Sequence, residues 1–121
     1  MTHTRQKLGV WGEALAADYL IQQGYCILER NARTPYGEID IVAQQENMLV
    51  FVEVKTRRSR EFGLPEQAVT PQKQKHIIAS AQYYLAETQN KDIDWRIDVI
   101  SIRQLSGKHP EIVHFENAVH G

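Results

Sequence analysis

The segment Met48-Leu49-Val50-Phe51-Val52-Glu53-Val54-Lys55 constrains the fold more than any other part of the chain. Its β-branched and aromatic content reads as a strand. Period-two alternation puts Met48, Val50, Val52 and Val54 on one face, and Leu49, Phe51, Glu53 and Lys55 on the other. A strand that is apolar on both faces belongs in the middle of a sheet with a layer packed on each side. The second face then turns charged. A carboxylate and an amine therefore stand side by side at the end of a buried strand, where neither is cheaply desolvated without a partner.

The preceding segment, Glu38 to Gln44, repeats the theme. Alternation groups Ile39, Ile41 and Ala43 on one face and Glu38, Asp40 and Val42 on the other. A two-residue turn at Glu46-Asn47, or a four-residue turn over Gln45 to Met48, brings Asp40 opposite Glu53 and Glu38 opposite Lys55. Directly opposed residues share a face with their Cβ atoms about 4.5–5.5 Å apart. Two carboxylates that close repel, and a divalent cation relieves the conflict. A three-residue loop would change the register and part them.

A helix is predicted from about Lys7 to Gln23, with Leu8, Trp11, Leu15, Tyr19 and Gln22 on one stripe and Gly24 as its C-terminal cap. Tyr25 to Arg30 reads as a strand containing the single cysteine, Cys26, expected to be a buried, inert thiol. Asn31 to Gly37 reads as a loop, and Thr56 to Val69 as a polar loop. Thr70-Pro71 starts a second helix, with Thr as N-cap and Pro at the first helical position, running to about Glu87. Trp95 to Ile102 is a further strand and Ile112 to Glu116 a weaker one. The order αβββαβ(β) predicts an α/β fold, a mixed central β-sheet flanked by helices. A length of 121 residues suits one domain over 1–121.

Several function classes fall away. No run of about 18 apolar residues exists, so no membrane span is expected. The N-terminus lacks the apolar core of a secretory signal, and the expected location is cytoplasmic. The net charge of −1 argues against a polycationic DNA coater. Arg57, Arg58 and Arg60 nevertheless crowd next to Lys55, and Lys73 and Lys75 follow at the start of the second helix, where exposed amides favour a phosphate. The same cations also suit a solvated charged loop and helix face. The histidines show no metal-ligand spacing, and no zinc set, P-loop or dinucleotide loop is present.

Asp40 and Glu53 are thus candidate ligands for Mg²⁺ or Mn²⁺, hard cations that take oxygen donors. Such a metal polarises a phosphodiester and acidifies bound water, while Lys55 orients that water or stabilises the transition state. Glu13 lies on a helix stripe with Gly9, Ala16, Ala17 and Leu20, from which it could reach the same cation. The alternative is a surface hairpin with a Glu38–Lys55 salt bridge, Asp40 held by an arginine and Glu13 at the edge of the apolar face. Asp98 reads as structural, paired with Arg96 or a backbone donor.

Gly12-Glu13-Ala14, Gly37-Glu38-Ile39-Asp40-Ile41-Val42-Ala43, Val52-Glu53-Val54-Lys55 and Val69-Thr70-Pro71-x-Lys73 together resemble the YraN-like family of small bacterial proteins over essentially the whole chain. The central portion is similar to archaeal Holliday-junction resolvases. The resemblance implies a restriction-endonuclease-like fold with a PD-(D/E)xK core. It equates Asp40 with the first acid, Glu53 with the second, Lys55 with the lysine and Glu13 with the helix glutamate of the resolvases. Ile39 stands where the motif has proline. A metal-dependent endonuclease acting on DNA is the expected function, with a homodimer an option because nucleases of this fold often pair to reach two strands. The competing expectations are a non-catalytic nucleic-acid-binding module in DNA uptake, repair or recombination, using Arg57, Arg58, Arg60, Lys73 and Lys75, and a protein-interaction domain on the same scaffold.

Overall fold

The computed structural model describes residues 5–58, 69–89 and 92–120. Its elements follow the order α1 (Arg5–Gln22), β1 (Cys26–Thr34), β2 (Gly37–Gln45), β3 (Met48–Arg58), α2 (Pro71–Glu87), β4 (Asp94–Gln104) and β5 (Glu111–Val119). The strands form one five-stranded sheet in the order β1-β2-β3-β4-β5. Neighbours are antiparallel except β3 and β4, which are parallel. A parallel pair needs a crossover, and α2 lies in that connection. The architecture is α/β with a mixed sheet, as predicted.

The helix ends are those that local chemistry dictates. Gly24 takes φ +93°, the left-handed conformation open to glycine at the end of a helix. Gly24 N–H then donates to Ile21 O at 3.0 Å and Tyr25 N–H to Leu20 O at 2.9 Å, the two reverse bonds that satisfy orphan carbonyls. At α2, the Thr70 hydroxyl accepts from Lys73 N–H and Pro71 fills the first turn.

The sheet has a packed layer on each side. On the α1 side, Ala16, Ala17 and Leu20 meet Ile41, Ala43, Val50, Val52, Ile100 and Ile102. On the α2 side, Val42, Leu49, Phe51, Ile97 and Val99 are buried with Ala81, and Ile77 and Tyr84 pack against them. β3 supplies fully buried residues to both layers, as its doubly apolar sequence required. Phe51 makes edge-to-face contacts with Tyr84 and Trp95 at centroid distances of 5.6 and 5.9 Å, geometry worth about 0.5–1.5 kcal/mol per pair beyond burial. Small side chains bring α1 close to the sheet. A Cβ at Gly12 would collide with the Thr56 side chain of β3.

Some sequence expectations are corrected. β1 does not stop at Arg30: it continues to Thr34, and the chain turns at Pro35-Tyr36. Thr56 to Arg58 belong to β3, not to a loop. Cys26 is exposed rather than buried, because it opens an edge strand and Tyr25 takes the inward position instead. Gln22 is likewise exposed, and the deepest α1 stripe runs through Ala16, Ala17 and Leu20. Ile39 does not share a face with Ile41: it packs in the α2 layer while Ile41 packs in the α1 layer. The register pairs Arg30 with Ile41 and Ala32 with Ile39, which leaves Asn31 opposite Asp40. Asn31 has φ +56°, and that left-handed step breaks the alternation of the hairpin.

Candidate metal and phosphate site

The turn between β2 and β3 is the two-residue Glu46-Asn47, closed by Gln45 opposite Met48. Glu46 accepts φ +54° to make it. From there the ladder runs through Ala43–Val50 to Ile41–Val52 and stops. Asp40 and Glu53 are the next residues along, facing each other where the strands part. Asp40 Oδ2 accepts Val54 N–H at 2.8 Å, so a side-chain carboxylate replaces a ladder carbonyl and holds the split open.

This is a costly place for two acids. The Asp40 carboxyl is pushed up to about 8, first by burial, then by the Glu53 charge, with Glu13 adding to the effect and the Val54 bond opposing it. Lys55 Nζ lies 3.2 Å from Glu53 Oε1, both side chains about one-fifth exposed at 20% and 18%. The amine therefore pairs with Glu53, not with Glu38 as the surface-hairpin alternative supposed. Among the described residues, Asp40 is held by the Val54 backbone and not by an arginine.

Glu13 reaches the same place from α1. Burial raises its pKa; Glu38 and Glu53 raise it further, while Arg30 and an Asn31 hydrogen bond lower it. Asn31 is the connection that sequence reasoning missed. With its amide nitrogen turned toward the two carboxylates, as groups that only accept require, it donates to Glu13 Oε1 and Glu38 Oε1 at 2.8 Å each. The structure thus gathers Glu13, Asn31, Glu38, Asp40, Glu53 and Lys55 around the end of the β2–β3 ladder. The only advance signal for Asn31 was an asparagine inside what would otherwise be strand, a residue tolerant of positive φ.

A small pocket lined by Glu38, Ile39, Phe51, Val52, Glu53 and Ile77 opens beside the acids. Ile77 brings α2 to this pocket, and Lys73, one turn earlier on the same helix face, is exposed there. Lys75 is exposed on the same turn but a different face. Arg57 shares the Glu53–Lys55 face of β3 by alternation and is half-buried, while Arg58 points with Thr56 and is exposed. Arg60 lies outside the described residues. Among the described residues, no group of three or more His, Cys, Asp and Glu side chains is disposed as a ready ligand set. The donors nevertheless suit a hard cation, because Mg²⁺ commonly uses one or two carboxylates and keeps its waters.

A second polar cluster lies apart from this site. Asp98, fully buried, receives Arg96 Nε at 2.9 Å, Asn117 N–H at 2.8 Å and His114 Nε2 at 2.7 Å. Tyr19 Oη bonds His114 Nδ1 at 3.1 Å and Arg96 donates to Tyr25 Oη at 2.8 Å. Burial alone would raise the Asp98 pKa, but the His114, Asn117 and Arg96 hydrogen bonds outweigh it and the pKa is lowered. Asp98 is paired with Arg96 and a backbone donor, as expected; His114, Tyr19 and Tyr25 were not foreseen as its surroundings.

No described helix is long and apolar enough to cross a membrane. Residues 12–102, which contain every acid of the site, match the family model described as Uncharacterised protein family UPF0102. A UPF0102 protein of Syntrophotalea carbinolica is 51% identical over 98% of this chain and 95% of its own. One from Geobacter sulfurreducens is 48% identical over 97% and 91%, and one from Dehalococcoides mccartyi 43% identical over 98% of each. On a family match that takes in the whole carboxylate cluster, and relatives this similar along nearly their full length, the chain belongs to the UPF0102 family.

Proposed function

We propose that the protein is a metal-dependent phosphodiesterase of the endonuclease type, favouring DNA, built on a restriction-endonuclease-like core. The observation that carries this reading is the confrontation of Asp40 and Glu53 at the splayed end of β2 and β3, with Lys55 against Glu53. Two acids forced together at a point where the sheet opens are a net cost to folding unless something compensates them. A cation does so, and Asp40 and Glu53 would hold it, with Glu13 reaching toward it from α1. Bound there, Mg²⁺ or Mn²⁺ supplies charge for the phosphodiester oxygens and acidifies water.

The chain's own groups have distinct parts. Glu53 is paired with Lys55; it would be the group shared with a bound cation, which would leave the Lys55 amine available to a phosphate oxygen. Asn31 fixes Glu13 and Glu38 in orientation. Lys73 and Arg57, on the elements flanking the acids, offer positive charge to the phosphates on either side of the cut, and Arg58 and Lys75 extend it.

A second reading is a nucleic-acid-binding module without catalysis. It is favoured by the Lys55–Glu53 pair itself, since an amine neutralising the second acid lessens the need for a metal. Purified protein incubated with plasmid, branched and single-stranded DNA, with and without Mn²⁺, decides between them. The nuclease reading expects Mn²⁺-dependent cleavage that Glu53→Gln abolishes. Salt-sensitive binding without cleavage supports the module.

A further inference from the structure

The tip of the β1–β2 hairpin carries Tyr36, 52% exposed, in the turn just ahead of Glu38. The turn is pinned rather than loose. Thr34 Oγ1 lies 2.7 Å from Gly37 O and 2.9 Å from Ser80 Oγ of α2, and accepts Tyr36 N–H at 3.1 Å. The Tyr36 ring meets Tyr83 of α2 edge-to-face, centroids 6.5 Å apart at 70°. In such a pair one ring presents its edge to the face of the other, so the pair itself leaves ring faces uncovered. A large aromatic ring held rigidly in water at a hairpin tip has no part in the core, where Phe51, Tyr84 and Trp95 already pack together.

The surroundings carry the opposite charge from the acidic split. Arg33 in the same hairpin is exposed, and α2, which supports the hairpin through Ser80 and Tyr83, displays Lys73 and Lys75 toward its start. Tyr83 and His76 fall on one helix face, and Lys75 lies about 12 Å along the axis from Tyr83. Four residues of chain separate Tyr36, in the turn, from Asp40 in β2, so the two stand no more than about 14 Å apart.

We infer that Tyr36, braced by Tyr83, is a stacking platform for an unpaired base of a nucleic-acid strand whose phosphates run along the first turns of α2 toward the acids. Every base has a π-face and none inside a duplex can offer it, so the platform selects substrates with single-stranded character: flaps, junction arms or free strands. This rests on the nucleic-acid reading given above and adds the substrate class to it.

The test uses an oligodeoxynucleotide of about 12 nucleotides carrying one 2-aminopurine, whose fluorescence is quenched on stacking, in EDTA so that no cleavage intervenes. The wild type quenches the probe on binding, and Tyr36→Phe does the same. Tyr36→Ala loses the quench and binds the single strand about 5- to 150-fold more weakly, while its affinity for a blunt duplex of the same sequence is unchanged. Tyr83→Ala gives a smaller loss of the same kind, and Lys75→Ala weakens strand and duplex alike. Tyr36→Ala gives up the edge-to-face pair with Tyr83 and melts slightly below the wild type, and a single cooperative unfolding transition above the assay temperature is the check that it folds. An unaltered quench in Tyr36→Ala, or equal weakening toward duplex, overturns the platform while leaving the proposed nuclease standing. Failure of the wild type to bind any oligonucleotide overturns both.

Discussion

Asp40 accepts the backbone N–H of Val54 with Oδ2 at 2.8 Å, and so ends the β2–β3 ladder with a carboxylate where the sheet would otherwise have continued with a carbonyl. The acid it holds is buried beside Glu53, and burial and the Glu53 charge push its pKa up to about 8 against the lowering effect of the Val54 bond itself. Stability is spent at one point, and that point coincides with the proposed site, as strained arrangements in functional sites do.

The first consequence is a pH dependence. A carboxyl whose folded pKa lies above its unfolded value stabilises the fold below the unfolded pKa, and that contribution is lost as pH rises through the folded value. For Asp40 the loss spans about 3.8 to about 8. Asp40→Asn keeps an oxygen for Val54 N–H and removes the charge. In EDTA it melts higher than the wild type, with a gap that widens from pH 5 to pH 8 and then levels. Thermal unfolding across that range reads it directly.

Asn31 joins Glu13 and Glu38 through one amide, at a backbone angle of φ +56° that a residue other than glycine or asparagine adopts at a cost. Asn31→Gly keeps the angle and removes the amide. It is expected to change stability by no more than about 1 kcal/mol yet to weaken divalent-ion affinity about 10- to 100-fold, the usual effect of losing a group that orients ligands. Calorimetric titration with Mn²⁺ checks it.

Gly12 permits α1 to lie against Thr56. Gly12→Ala forces the helix off β3 and destabilises the protein by about 1–3 kcal/mol, as overpacking does. Thr56→Ala removes two of the colliding atoms, so the double variant is less destabilised than the sum of the singles. Urea denaturation of the four proteins gives the coupling.

Asp98 is a buried charge satisfied by Arg96, His114 and Asn117. Asp98→Asn leaves Arg96 and His114 short of their anion and costs about 3–5 kcal/mol. Because the Asp98 pKa is lowered from 3.8, the stability it confers is present above about that pH and lost as pH falls below it. The acid limb of the wild-type stability curve is therefore steeper below pH 4 than that of Asp98→Asn. The substitution leaves divalent-ion binding in place, since the cluster lies apart from Asp40 and Glu53.

These features differ in how far the sequence revealed them. The β3 strand, the position of a turn around Glu46-Asn47 and the Thr70-Pro71 helix start were legible because local periodicity and capping chemistry decide them, while the length of that turn was left open between two and four residues until the Gln45–Met48 pairing fixed it. With the turn length known, the opposition of Asp40 and Glu53 followed by counting. The strand beyond Arg30 was not legible. Asn31 interrupts its alternation and the Arg33-Thr34-Pro35 run reads as loop, while the ladder to Ile39 and Glu38 that makes it a strand is a tertiary fact. Nor could periodicity anticipate that Ile39 would turn to the α2 layer. The bond between Tyr19 and His114 joins residues 95 positions apart, and nothing in either local segment points to the other.

The most direct measurement is calorimetric titration of metal-free protein with Mn²⁺, run on the wild type and on Glu53→Gln. One divalent ion binding the wild type, accompanied by proton release near pH 7 as Asp40 gives up its proton and by a rise in melting temperature that Glu53→Gln lacks, is the predicted result. A wild type that takes up no divalent ion, or a Glu53→Gln variant that binds it equally well, would contradict the account.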